Sequence, residues 1–254
     1  MISLGLTSVT FRKLSVEEII NLAKNTGIYN IEWGGDVHVK NEDDASYIYE
    51  LCIKNNIKCC SFGSYYKAGT YNGEYMDEFI KILNISLKLH CDTIRIWAYD
   101  KSSFDIKKDS YEYNTIIEEI RKIADYADSY KMSISFEHHQ RTLTDDTDNA
   151  LMFIKDIGRK NVHMYWQAQV SLSFEENIQT LNRFKPYLKN LHISNQVQNG
   201  YLLLYDMKEQ LEQYLDIVKN HEIIALIEFV KDNKIESYIE DVDVLKKILA
   251  NKNG

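Results

Sequence analysis

Four short apolar segments each carry, at or near their C-terminal end, a side chain that can bind a metal ion or move a proton. The four residues are Glu137, Gln167, His192 and Glu228, and apolar runs of this length are typical of buried β-strands. In a parallel (β/α) barrel all strands open their C-terminal ends on one face, where the chemistry takes place. The sequence therefore predicts one site built from four consecutive strands.

A divalent cation would satisfy this set of side chains. Two carboxylates and an imidazole are metal ligands, and the side-chain carbonyl of Gln167 could join them. Such a mixed set suits Mn²⁺, Mg²⁺, Zn²⁺ or Co²⁺ without selecting among them. Buried carboxylates need partners. The alternative is therefore that these groups hydrogen-bond to one another without a metal.

Strand-like and helix-like segments alternate eight times along the chain. Ser15 and Glu18 have capping-box spacing at the start of the first helix, and Ser173 and Glu176 repeat it later, while Gly27 marks a helix end. Alternation of this kind favours a parallel sheet with crossover helices. We predict strand ends near Ser8, Trp33, Ser64, Trp97, Glu137, Gln167, Ser194 and Phe229.

These segments favour an α/β protein with a single (β/α)₈ TIM barrel over residues 1–254. The chain has the usual length for one such domain. An open doubly wound sheet is the alternative. No G-x-G-x-x-G motif follows the first strand, which disfavours that fold.

Composition limits the classes of partner. The net charge of −8 disfavours nucleic acids and anionic membranes, which require a basic face. The four cysteines form no C-x-x-C pair and are expected to be reduced apolar fillers. The first residues lack a signal-peptide pattern, and no apolar run is long enough to span a membrane. We expect a cytoplasmic protein, either a monomer or a homo-oligomer, that acts on a small molecule.

Six further residues near predicted strand ends could contact a substrate. The guanidinium of Arg95 could bind a hydroxyl, carboxylate or phosphate group, or instead form a buried ion pair with Glu32. The aromatic side chains suit the CH faces of a sugar, with core packing as the alternative. A surface position is the alternative for His38. The predicted substrate-binding set is Arg95, Trp97, His139, Tyr65, Trp33 and His38.

Several short motifs give the whole chain a resemblance to a known family. They are GSYY at 63–66, DTIRIWAYD at 92–100, FEHH at 136–139, YWQ at 165–167, NLH at 190–192 and IEFV at 227–230. With these motifs the chain resembles the xylose isomerase-like TIM-barrel superfamily, the sugar phosphate isomerases and epimerases. The resemblance implies a metal held by a Glu, an Asp, a His and a Glu after strands five to eight.

Three of the four implied ligands match Glu137, His192 and Glu228. The second departs from the pattern, because Gln167 stands where Asp is usual, and Val170 stands where the usual Asp-x-x-His motif has its His. The loss of one anionic ligand should weaken the binding of a divalent ion.

The resemblance implies an isomerase or epimerase that acts on a sugar or sugar phosphate through an enediolate. Glu137 and Glu228 would take and return the proton next to a carbonyl. No glycine-rich phosphate loop follows strand seven, which favours an unphosphorylated substrate. The alternatives are a dehydratase or lyase that acts on a polyol-like hydroxy acid, and a sugar-binding barrel without catalysis. An endonuclease IV-like enzyme is disfavoured by the acidic charge and the few histidines.

Overall fold

A computed structural model describes residues 1–252, and eight strands alternate with eight helices over this range. The barrel strands are β1 (Ile2–Thr7), β2 (Asn30–Gly34), β3 (Lys58–Lys67), β4 (Thr93–Trp97), β5 (Ser133–Glu137), β6 (Val162–Trp166), β7 (Leu188–Ile193) and β10 (Ile223–Ile227). The helices are α1 (Val16–Asn25), α2 (Glu42–Lys54), α3 (Tyr75–Lys88), α4 (Tyr111–Asp128), α5 (Thr147–Ile157), α6 (Phe174–Phe184), α7 (Lys208–Val218) and α8 (Ile235–Lys252).

The eight strands form a closed barrel in the order β1-β10-β7-β6-β5-β4-β3-β2. The prediction of a (β/α)₈ barrel is confirmed. Each strand ends within three residues of its predicted end; the largest difference is in β3, which continues to Lys67 rather than stopping near Ser64. The predicted single domain covers residues 1–254, and its last two residues lie outside the described residues.

The chain packs as two compact units, and the first contains Met1–Glu32, Leu51–Lys58 and the residues from Trp166 onward. In this unit β10 lies between β1 and β7, and all three strands are parallel. Both predicted capping boxes are present. Ser15 N donates to the Glu18 carboxylate at 2.7 Å while Glu18 N donates to Ser15 Oγ at 3.2 Å, and Ser173 and Glu176 repeat the arrangement. These caps fix the start of α1 and α6 and thus the loops that precede them.

A short antiparallel hairpin interrupts the first unit between β7 and α7. Its strands are β8 (Asn195–Val197) and β9 (Gly200–Leu202). Asn195 Nδ2 donates to Leu203 O at 2.8 Å, which closes the base of the hairpin. Beyond it, Leu204 N donates to the buried Asp241 carboxylate of α8 at 2.7 Å. The hairpin is therefore anchored to the helix layer.

The second compact unit contains Trp33–Glu50 and Cys59–Tyr165. In this unit β4 pairs in parallel with both β3 and β5, and Arg95 lies opposite Ser135. Ser110 caps α4 and Asp146 caps α5 through their side-chain oxygens. Phe136 of β5 packs edge-on against Phe153 of α5, with ring centroids 5.5 Å apart. Because strand side chains alternate, Glu137 belongs to the opposite face, as predicted.

The cysteines agree with the sequence-based expectation. Cys52, Cys59, Cys60 and Cys91 are buried, and within residues 1–252 none of them forms a disulfide. Burial raises the pKa of the Cys91 thiol to about 12, so this side chain behaves as a small apolar group. Within residues 1–252, no helix combines the length and apolar character needed to cross a bilayer.

Candidate functional site

In the first unit, His192 lies between two buried carboxylates. Its Nδ1 is 3.0 Å from Glu228 Oε2, and its Nε2 is 3.3 Å from Glu32 Oε1. His192 and Glu32 are 1% exposed and Glu228 is 7% exposed, so water screens these charges poorly. A charged imidazole in this position can donate to both carboxylates, and a neutral imidazole can serve as a metal ligand.

The backbone around Glu228 is held by neighbouring strands. Glu228 N donates to Ile193 O at 3.0 Å, just past the paired part of β7 and β10. Phe229 N donates to Thr10 Oγ1 at 3.1 Å, and Phe229 has a positive φ of 59°. A bulky residue rarely takes this left-handed conformation, so the turn must be held by its surroundings. The Glu228 carboxylate is thereby fixed at the end of its strand.

Gln167 follows the last residue of β6 and is half-buried. The preceding Trp166 is buried, and its indole Nε1 donates to Thr180 Oγ1 of α6 at 2.8 Å. Its ring packs against Tyr214 of α7 at 4.9 Å. Trp166 therefore belongs to the helix layer, and the amide of Gln167 begins the β6–α6 loop.

In the second unit, Glu137 forms an ion pair with Arg95. Arg95 Nη1 donates to Glu137 Oε2 at 2.5 Å, and the two residues are 2% and 6% exposed. Since β4 and β5 pair with Arg95 opposite Ser135, Glu137 lies one step further along the same face of the neighbouring strand. The guanidinium stays charged at all ordinary pH values. Glu137 thus faces a fixed positive charge.

Aromatic rings surround Arg95. The Tyr65 ring stacks on the Trp97 ring with centroids 6.1 Å apart, and Arg95 Cζ lies 5.8 Å from the Tyr65 centroid. The imidazole of His139 lies 4.4 Å from the Trp97 ring, and its Nδ1 donates to Gln140 O at 2.8 Å. The predicted contacts Tyr65, Trp97, His139 and Arg95 therefore form one cluster in this unit. Its three rings are half-buried and offer faces to a ligand.

Trp33 and His38 form a second, more deeply buried pair. Trp33 is fully buried, and His38 packs edge-on against it with ring centroids 6.0 Å apart. His38 is only 9% exposed, so the surface alternative for this residue is wrong. In residues 1–252, the buried indole nitrogens of Trp33 and Trp97 have no hydrogen-bond partner. An unbonded buried N–H is costly and would be satisfied by a polar ligand.

Sequence reasoning missed two residues. Glu32 was considered only as a partner for Arg95, and its contact with His192 was not predicted. The available signal was an acidic residue in the middle of β2, two residues before the end of the strand. His138 is 1% exposed, and burial lowers its pKa to about 4, so it is neutral at pH 7. Nothing in the sequence distinguished His138 from a histidine at the surface, so its burial was not predicted.

The family is established by the sequence itself. A family model described as the xylose isomerase-like TIM barrel matches residues 20–200. The chain therefore belongs to the xylose isomerase-like TIM-barrel family. A search of curated proteins gives no match.

Solved structures share the fold at low sequence identity. A probable 3-DHS dehydratase, AsbF, involved in petrobactin synthesis in Bacillus anthracis, is 16% identical, with a TM-score of 0.82 over 96% of this chain and 98% of that one. A D-psicose 3-epimerase determined in the presence of D-fructose is 16% identical, with a TM-score of 0.68 over 96% and 97%. An L-ribulose 3-epimerase is 13% identical, with a TM-score of 0.72 over 99% and 95%. These similarities extend over nearly the whole chain and concern its fold.

Proposed function

We propose that this protein is a metal-dependent isomerase or epimerase of a sugar or sugar phosphate, and that it transfers a proton next to a carbonyl group. The observation that carries the proposal is the contact between two predicted ligands of the first unit, where His192 Nδ1 lies 3.0 Å from Glu228 Oε2. The third predicted ligand, Glu137, is buried at the end of β5 in the second unit. Epimerases among the fold neighbours support the same class of reaction.

The donor set fits a divalent cation. Carboxylate oxygens and an imidazole nitrogen suit Mn²⁺, Mg²⁺, Zn²⁺ or Co²⁺. Gln167 is the proposed fourth ligand through its amide oxygen, and Glu32 beside His192 adds a carboxylate that orients the ring. When bound, the ion would act as a Lewis acid that polarises a carbonyl oxygen.

The side chains supply the proton chemistry. Glu228 is the proposed base that removes the proton α to the carbonyl, and Glu137 is the proposed partner that returns it. His192 lies 3.0 Å from Glu228 and can share the proton that Glu228 takes up. Arg95, beside Glu137, provides a fixed positive charge that would stabilise an oxyanion or bind a substrate carboxylate. The unbonded indole N–H groups of Trp33 and Trp97 are proposed donors to substrate hydroxyls.

A dehydratase that acts on a polyol-like hydroxy acid is the second candidate. It would use the same base, after which a β-hydroxyl would leave as water. The buried guanidinium of Arg95 favours this candidate, because it suits a substrate carboxylate. The high structural similarity to a probable dehydratase motivates the test. A sugar-binding barrel without catalysis is the third possibility.

The experiment is turnover in D₂O of a panel of ketoses and hydroxy acids, with each of the four metal ions added separately. An epimerase or isomerase gives an isomer of unchanged mass apart from deuterium, whereas a dehydratase gives a product that has lost water. Deuterium at the carbon next to the carbonyl supports the enediolate. Full activity of thoroughly chelated protein contradicts metal dependence. Sugar binding without turnover under every condition supports the non-catalytic alternative.

A further inference from the structure

A cleft of about 390 Å³ lies within the first unit, and its lining includes none of the proposed metal ligands or substrate contacts. The β6–α6 loop, the β8–β9 hairpin and the first turns of α6 and α7 form its walls. Its lining begins at Ala168, the residue after Gln167, and includes Ser194, two residues after His192. Its volume is within the range of small-molecule sites.

Amides dominate the lining of this cleft. Six Asn or Gln side chains contribute to it, and among the described residues that line it none is Asp, Glu, Lys or Arg. This is notable in a chain whose residues are 27% charged. A phosphate or carboxylate group is bound most strongly by cationic side chains, and the cleft offers none from its lining. An amide offers both a donor and an acceptor, as a hydroxyl group does. The lining is therefore suited to uncharged hydroxyl groups.

The amide side chains that line the cleft have different structural roles. Asn177 Nδ2 donates to Gln169 O at 3.0 Å, and its Oδ1 accepts from Gln169 N at 2.8 Å. Asn195 closes the base of the hairpin. These two amides hold the walls of the cleft in place. Gln210, on α7, is half-buried and lines the cleft. Its amide forms no such structural bond within residues 1–252, so it is available to a ligand.

An aromatic side chain forms part of the same wall. Tyr214 is one turn beyond Gln210 on α7, is 3% exposed, and packs against the Phe174 ring at 5.5 Å. Polar groups beside a buried aromatic surface are the combination that binds a sugar, because sugars have hydroxyl edges and apolar CH faces.

We propose that the amide cleft is a subsite for an uncharged polyhydroxylated group, so that the substrate is a neutral sugar or polyol rather than a phosphate ester. This inference rests on the proposed function, since it specifies the substrate class of the same protein. Gln210 is a specificity-determining residue of this subsite.

The test measures binding independently of turnover. Isothermal titration calorimetry measures the binding affinity of D-fructose, D-psicose, L-ribulose and the phosphate esters of these sugars. Three metal-loaded proteins are compared: the wild type, Gln210→Leu and Gln213→Leu. Leucine keeps the size of glutamine but lacks the amide. Gln213 lies on the same helix and is exposed, so it is the matched control. At least one neutral sugar should bind more tightly than its ester. Gln210→Leu should weaken that binding roughly 3- to 10-fold, as expected for one lost hydrogen bond, and Gln213→Leu should not.

Tighter binding of the esters, no binding of any neutral sugar, or equal affinity in Gln210→Leu and the wild type would overturn the subsite. Equal melting temperatures of the two variants show that both are folded. Selective weakening in Gln210→Leu without turnover in any protein supports the subsite and refutes the proposed function. Turnover by the wild type that Gln210→Leu leaves unaffected supports the proposed function and refutes the subsite.

Discussion

The two carboxylates that were predicted to share one role have different surroundings. Glu137 contacts the guanidinium of Arg95, whereas Glu228 contacts the imidazole of His192. A guanidinium keeps its proton, but an imidazole gains or loses one near neutral pH. The contrast indicates that Glu137 has a partner of fixed charge and that Glu228 has a partner able to exchange a proton. Residue type alone did not distinguish them.

The sharpest test of this comparison is the substitution Glu228→Gln. It keeps the size of the side chain but removes the base, so turnover should fall by at least ~10²–10⁴-fold. Steady-state kinetics measures the loss, and far-UV circular dichroism checks the fold. Glu222→Gln is the control, since Glu222 is exposed just before the same strand and should not affect the rate. Wild-type activity in Glu228→Gln would contradict the assigned role.

The other half of the comparison predicts an effect on stability. Arg95→Met leaves the Glu137 carboxylate buried without this cation, so the free energy of unfolding should fall by about 3–5 kcal/mol. Urea denaturation measures the change. Adding Glu137→Gln to Arg95→Met should recover part of the loss, because the unpaired charge is then removed. A single variant as stable as the wild type would show that the ion pair does not hold Glu137.

Metal affinity tests the side chain that departs from the family pattern. Gln167→Asp restores an anionic ligand and should tighten Mn²⁺ binding on the order of tenfold, since affinity depends on ligand charge. Calorimetric titration of metal-free protein measures it. Gln179→Asp adds the same charge at an exposed position of α6 and serves as the control. Equal tightening in both variants would attribute the effect to net charge instead of ligation.

The fourth prediction concerns the anchor of the hairpin. Burial raises the pKa of Asp241 from 3.8 to about 7, so between these values the folded protein holds a proton that the unfolded chain has released. This contribution to stability is complete below about pH 4 and is lost as the pH rises through 7, with a slope of at most ~1.4 kcal/mol per pH unit. Denaturation at several pH values should show the decline, and Asp241→Asn should remove it. An unchanged pH profile in the variant would contradict this source.

The fold was largely readable from the sequence because its signals are local. Capping boxes and apolar runs set the element boundaries, and the (β/α) alternation gave the barrel. The hairpin also has a local signal, because the dipeptide Asn199-Gly200 is typical of tight turns. No prediction was made from this dipeptide. The contact between Glu32 and His192 could not be predicted, because it depends on side-chain directions in distant strands. The pairing of Arg95 with Glu137 likewise required the register of β4 and β5.

The chain's three tryptophans offer a built-in spectroscopic assay. The indole N–H of Trp166 is hydrogen-bonded to Thr180, while those of Trp33 and Trp97 have no partner in the described residues. In a ¹⁵N-correlated NMR spectrum the three indole signals would be resolved from the backbone amides. A ligand that accepts hydrogen bonds from Trp33 and Trp97 would shift two of them and leave the third as an internal reference. Unknown sugars could therefore be screened for binding before any reaction is known.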